Sequence, residues 1–145
     1  MAYTQAFTAY KQTGVKTATQ GKLIIMLYEE AVRQLNTALS LFKTEDSIEA
    51  YNIEKLHKAT VKTQEIITEL MVSLNMNAGG QLAHNLLALY MFFNQELLDA
   101  TIHHKKNKIH FVRDKMAELK DAWVQADSTT QTRASDMNPA ISING

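Results

Sequence analysis

Residues 86–93 read Leu86-Leu87-Ala88-Leu89-Tyr90-Met91-Phe92-Phe93, eight apolar positions without a break. They sit inside a longer pattern, Leu82, Leu86, Leu89, Phe93, Leu97 and Ala100, whose steps of three and four residues predict one face of a helix. The same spacing recurs on both sides. Leu23, Leu27, Ala31, Leu35, Ala38 and Phe42 predict an earlier helix with Thr19 as its N-cap, followed by a polar break over 43–47. Leu56, Ala59, Thr63, Ile66, Leu70 and Leu74 predict a second, opening near Ser47 or Ile48 and closed by Asn75, Asn77, Gly79 and Gly80, residues that tolerate the left-handed conformation. Ile109, Val112, Met116, Leu119 and Trp123 predict a fourth, preceded by Lys105, Lys106 and Lys108. Short connections between amphipathic helices predict an all-α fold, an antiparallel up-down-up-down four-helix bundle. The bundle is expected over 19–126, with an N-terminal arm at 1–18. Beyond Ala126 the period ends in Ser, Thr, Asn and Pro139, so a flexible C-terminal tail is expected over 127–145.

Two helices carry more apolar perimeter than a bundle needs. A core-facing stripe covers roughly a third of a helix. The run Leu23–Tyr28 has six consecutive apolar residues and Leu86–Phe93 has eight, and successive residues point in every direction around a helix. With antiparallel helices the surplus gathers at one end, together with Leu70, Met71, Val72, Leu74 and Trp123. An arm or tail laid over it would make it extra core. Left open, it is a groove for a partner's amphipathic helix.

Other chemistries find little support. Fifteen basic and fifteen acidic residues balance, so the basic excess of a nucleic-acid binder is missing. There is no cysteine, which excludes disulfides and thiolate sites and makes the cytosol the default compartment. The longest apolar run falls far short of the ~20 residues of a membrane span, and no signal peptide is read at the start. Glu54 and His57 form a single Glu-x-x-His where a di-iron bundle needs two copies and inward glutamates. His103, His104 and His110 sit among lysines and read as a solvated turn. No serine lies in a nucleophile elbow, and Gly79-Gly80 lacks the lysine of a phosphate loop. No catalytic residue, metal ligand or cofactor is assigned.

Three stretches taken together resemble the flagellin-specific export chaperone family (FliS). They are Ala9-Tyr10-Lys11-Gln12 with Val15, Thr17-Ala18-Thr19 and Lys22 to Tyr28; Ile66 to Leu70 with Ser73-Leu74-Asn75 and Gly79-Gly80; and Asn85-Leu86, Leu89-Tyr90 and Leu97 with Trp123. The family commonly has Ser-Pro where Thr19-Gln20 stands and a charged residue where Gly21 stands. The resemblance implies a cytosolic, non-enzymatic helical bundle. Its client would be the disordered C-terminal segment of flagellin, folding as it binds, kept from premature polymerisation and competent for flagellar type III secretion. It also implies contacts with an export-gate component and with other flagellar regulators. The apolar surplus and the resemblance together make the expected partner-binding residues Tyr10, Val15, Leu23, Met26, Leu27, Tyr28, Asn85, Leu86, Leu89, Tyr90 and Phe93, the arm with Tyr10 and Val15 either capping the groove when no client is present or clamping the client. The competing expectation is a structural or regulatory bundle that self-associates, as a homodimer for example, through the same apolar end.

Overall fold

The structure, a computed structural model, describes the backbone of residues 20–144 and the side chains of residues 20–128. Four helices account for nearly all of it: α1 (Gln20–Ser40), α2 (Ile53–Ser73), α3 (Gly80–His103) and α4 (Lys106–Asn144). The fold is all-α, with helices packed side by side as a bundle. α1 packs most extensively, against α2 and α4, and α3 closes the ring by packing on α2 and α4. The core is made of the stripes anticipated from their spacing: Leu27, Ala31 and Leu35 from α1, Leu56, Ile66 and Leu70 from α2, Phe93 and Leu97 from α3, and Ile109, Val112 and Met116 from α4.

Four features differ from the sequence-based expectation. The polar break after α1 is a hairpin: β1 (Phe42–Thr44) pairs antiparallel with β2 (Ser47–Ile48), Phe42 opposite Ile48. Phe42 is buried and holds this hairpin to the core. A 3-10 turn at Ala50–Asn52 follows, so α2 begins at Ile53 rather than near Ser47.

The second difference is the inward stripe of α3, which runs through Ala83, Leu86, Tyr90, Phe93, Leu97 and Ala100. Leu82 is 67 % exposed and Leu89 only half-buried. In a run that is apolar throughout, two neighbouring phases fit the same three-and-four spacing, and packing chooses between them. Leu74 is third: it stands just past the end of α2 in extended backbone and is half-buried. The fourth is α4, helical to Asn144 instead of closing near Ala126. The apolar period fades after Trp123, yet no glycine or proline interrupts the chain between Lys106 and Pro139. Once anchored by its first turns, a helix extends with little further cost.

The loop between α2 and α3 is built on two glycines. Gly79 donates its N–H to the Asn75 carbonyl at 2.7 Å, and a Cβ on it would lie 2.6 Å from that of Ala83. Gly80 has φ +56°, a left-handed backbone that suits glycine. At the other end of α3, His104 takes a similar conformation, φ 53°, as the C-cap, and the Lys105 N–H closes the turn on the Ala100 carbonyl at 3.0 Å. A side chain there costs about 1–2 kcal/mol. Replacing His104 by glycine should therefore stabilise the protein by about 1 kcal/mol, raising the thermal midpoint by about 2–4 °C, whereas His104→Val should lower it; a denaturation series on the three proteins checks both.

Candidate functional site

α3 is oily on both shoulders as well as on its inner face. Asn94 and Thr101 mark the side that meets α2: the Asn94 carbonyl accepts from Gln64 Nε2 at 3.1 Å, and Thr101 Oγ1 lies 2.9 Å from Thr60 Oγ1. Just outside that seam run Leu87, Met91, Leu98 and Ile102, spaced four, seven and four, which places them on one stripe. Leu87 is half-buried, while Met91, Leu98 and Ile102 are 58 %, 53 % and 60 % exposed. On the opposite shoulder Phe92 meets Phe111 of α4 edge to face, ring centroids 6.2 Å apart, with the Lys115 ammonium 5.7 Å from the Phe111 centroid. Both rings remain exposed.

The surplus on α1 fares differently. Leu23, Ile24, Leu27 and Tyr28 are buried, Ile25 is half-buried, and of the six only Met26 is exposed. α1 has closely packed neighbours on both sides, and Gly21 lets α4 approach near Asp127, whose Oδ1 would lie 2.5 Å from a Cβ at that position. The neighbouring helices enclose most of the apolar excess of α1, and α3 keeps most of its own.

Of the residues singled out from the sequence, Leu23, Leu27, Tyr28, Leu86, Tyr90 and Phe93 are buried, Leu89 is half-buried, and Met26 and Asn85 are exposed. Tyr10 and Val15 lie outside the described residues. The start of α1, the end of α2, the start of α3 and Trp123 of α4 do converge at one end. They enclose a cavity of about 260 Å³ lined chiefly by Ile24, Leu70, Leu74, Leu86, Tyr90 and Trp123. Ile24, Leu70, Leu74 and Trp123 were not among the site residues expected from the sequence. Their gathering at this end follows from helix order, but a void does not follow from any spacing. Tyr90 is part of its lining, and the Tyr90 hydroxyl is hydrogen-bonded to that of Tyr28 behind it. Burial pushes both phenols above their ordinary value of 10.0, and the Tyr28 hydroxyl raises Tyr90 further.

Several titratable groups elsewhere are engaged in surface pairs. Glu54 faces Lys58 at 3.9 Å and His57 is exposed. His103 Nδ1 lies 2.8 Å from Asp99, which also meets Lys108 at 2.7 Å; Lys108 and His103 together hold the Asp99 carboxyl below its ordinary value. Among the described residues no group of three or more His, Cys, Asp or Glu is placed to hold a metal ion, and no helix is long and apolar enough to cross a membrane.

A family model described as "FliS: Flagellar protein FliS" matches residues 3–130. The chain belongs to the FliS family. Curated relatives in this family carry the name flagellar secretion chaperone FliS. The Bacillus subtilis (strain 168) protein is 31% identical over 126 residues, covering 87% of this chain and 89% of that one. The Escherichia coli (strain K12) protein is 30% identical over 122 residues, covering 81% and 86%. A solved structure described as the crystal structure of a flagellar chaperone from bacteria superposes with a TM-score of 0.67 at 19% identity, covering 87% of this chain and 98% of the other, and so supports the fold. The FliS relatives are named as chaperones, and the family is not one of enzymes.

The buried tyrosine pair makes a testable demand on the folded state. The unfolded phenols ionise near their ordinary value while the folded ones resist, so the unfolded state releases protons first. Stability should be constant with respect to this pair below about pH 10 and fall as pH rises beyond it. Phenolate absorbance should show a late step coincident with unfolding, and a Tyr28→Phe/Tyr90→Phe double variant should lack that step.

Proposed function

We propose that the protein is a cytosolic export chaperone that holds the C-terminal segment of flagellin and delivers it, unpolymerised, to the flagellar secretion apparatus. The observation that carries this is the exposed apolar stripe Leu87–Met91–Leu98–Ile102 beside the α2–α3 seam, in a chain whose relatives are named flagellar secretion chaperones. Its spacing fits a helical partner lying along α3, a segment that is disordered alone and helical when bound. Fully burying a large aliphatic side chain is worth about 1.5–3 kcal/mol, so half-exposed ones offer about 1 kcal/mol each. Four of them, with the matching side chains of the partner, exceed the ~2–5 kcal/mol that ordering a disordered segment costs.

Three finer points belong to the same proposal. The helices alternate in direction. The ion pair of Lys105 with Asp46 and the bond from the Lys106 N–H to the Glu45 carbonyl support this at one end, and the cavity that joins α1, α2, α3 and Trp123 supports it at the other. Residues 1–18, through Tyr10 and Val15, cap the client surface when it is empty; residue 20 adjoins the cavity. Release comes from handover to an export-gate component, with no nucleotide required, and other flagellar regulators are further partners.

Met26 and Met91 are the cleanest probes because both are exposed. Met91→Glu should leave the melting curve within experimental error and weaken binding of a peptide from the last third of flagellin by roughly tenfold or more, a loss of about 1.4 kcal/mol or more. Met26→Glu should weaken it less, since its neighbours on α1 are enclosed. Unchanged affinity in a folded Met91→Glu protein would move the client off α3. A stable homodimer indifferent to the peptide would instead favour a self-associating module.

A further inference from the structure

All the sulfur in this chain is thioether. It has seven methionines and no cysteine, so a peroxide meets no thiol and the methionines are the sulfur it can oxidise. Five of the seven have described side chains, and packing grades them. Met116 is fully buried in the core, Met71 and Met76 are half-buried, and Met26 and Met91 are 44 % and 58 % exposed. Met91 stands apart by its place. It lies one turn beyond Leu87 and two turns before Leu98, on the α3 stripe whose other members, Leu87, Leu98 and Ile102, are aliphatic. A helical client lying along that stripe has to cover it.

Oxidation changes what that position offers a partner. The sulfur attacks a peroxide oxygen: the S–O bond forms as the O–O bond breaks, the sulfur gives up two electrons, and the remaining oxygen leaves as water. The sulfoxide is polar and chiral where the thioether was apolar. In the free protein water solvates the new oxygen, because the side chain is already more than half exposed. Under a bound client the same oxygen is desolvated between Leu87 and Leu98, and a polar group buried without a partner weakens the complex. We propose, resting on the chaperone reading, that Met91 is a reversible oxidation site at which a peroxide switches off client binding without unfolding the bundle. Two thiols of a sulfoxide reductase reverse the step: the sulfoxide oxygen leaves as water and the thiols close to a disulfide. A bound client covers the sulfur, so an empty chaperone is disabled first and a loaded one is spared.

The test treats purified protein with hydrogen peroxide, removes the peroxide, and measures affinity for a peptide from the last third of flagellin. Each protein is compared with itself before treatment, so a variant's own starting affinity drops out. Peptide mapping by mass spectrometry should place sulfoxide at Met91 and Met26 and leave Met116 unmodified. The unaltered protein should lose affinity roughly tenfold. Its thermal midpoint should move by less than about 2 °C, and a methionine sulfoxide reductase with dithiothreitol should restore binding. Met26→Leu should lose affinity on treatment as the unaltered protein does, while Met91→Leu should change by less than about twofold. Met91→Gln, which puts an uncharged polar group there without any oxidant, should bind weakly from the start. Peptide bound beforehand should slow oxidation of Met91. A loss that persists in Met91→Leu or tracks unfolding, a Met91 left unmodified or oxidised equally fast under the peptide, or an affinity unchanged once Met91 is oxidised overturns the assignment and leaves the chaperone reading intact. If the untreated protein does not bind the peptide, the chaperone reading itself fails and the switch fails with it.

Discussion

The structure turns on the perimeter of α3. A helix buried on one face and apolar on nearly all of the others can be satisfied only by neighbours on every side, and the bundle gives α3 two. Its inner stripe is dry, while Met91, Phe92, Leu98 and Ile102 remain in contact with water. α1 carries a similar run of apolar residues with the opposite outcome, because α2 and α4 close over it. The two helices show that apolar excess in a sequence becomes an interaction surface only where packing leaves it uncovered.

An oily rod has little to tell it where to stop sliding or turning. The register of α3 is set instead by polar contacts to each of the other three helices. Tyr90 meets Tyr28 of α1; Thr101 and the Asn94 carbonyl meet Thr60 and Gln64 of α2; Glu96 and Asp99 meet Lys108 of α4. Directional bonds of this kind fix one arrangement where apolar contacts alone would accept several. They also bring Tyr90 to the cavity wall.

Much of this was legible in the residues. Threes and fours predicted four helices, and the stripes of α1, α2 and α4 were placed almost as packing has them. α3 lost its phase because Leu82 and Leu89 fit the spacing as well as Ala83 and Tyr90 do. Only the tyrosine pairing and the packing of Ala83 against Gly79 break the tie. The hairpin at Phe42–Ile48 was illegible, since strands of three and two residues are too short to show a period. The length of α4 was hidden for another reason: its later residues are polar and carry no apolar rhythm to read. Helix order was enough to collect Leu70, Leu74 and Trp123 at one end. The empty volume among them depends on side-chain fit in three dimensions, which no linear pattern carries.

The two ends of the bundle are built differently. At one, a hairpin, a left-handed His104 and the Lys105–Asp46 pair stitch the chain to itself; at the other, the described residues leave a cavity beside the start of α3. α3 spans 24 residues, about 36 Å. A tilt of about 5° about the stitched end would carry the open end by about 3 Å, close to the width of a methyl group, by the geometry of a rod of that length. The Tyr28–Tyr90 bond and the packing of α3 on α2 and α4 are therefore what hold the cavity to one size.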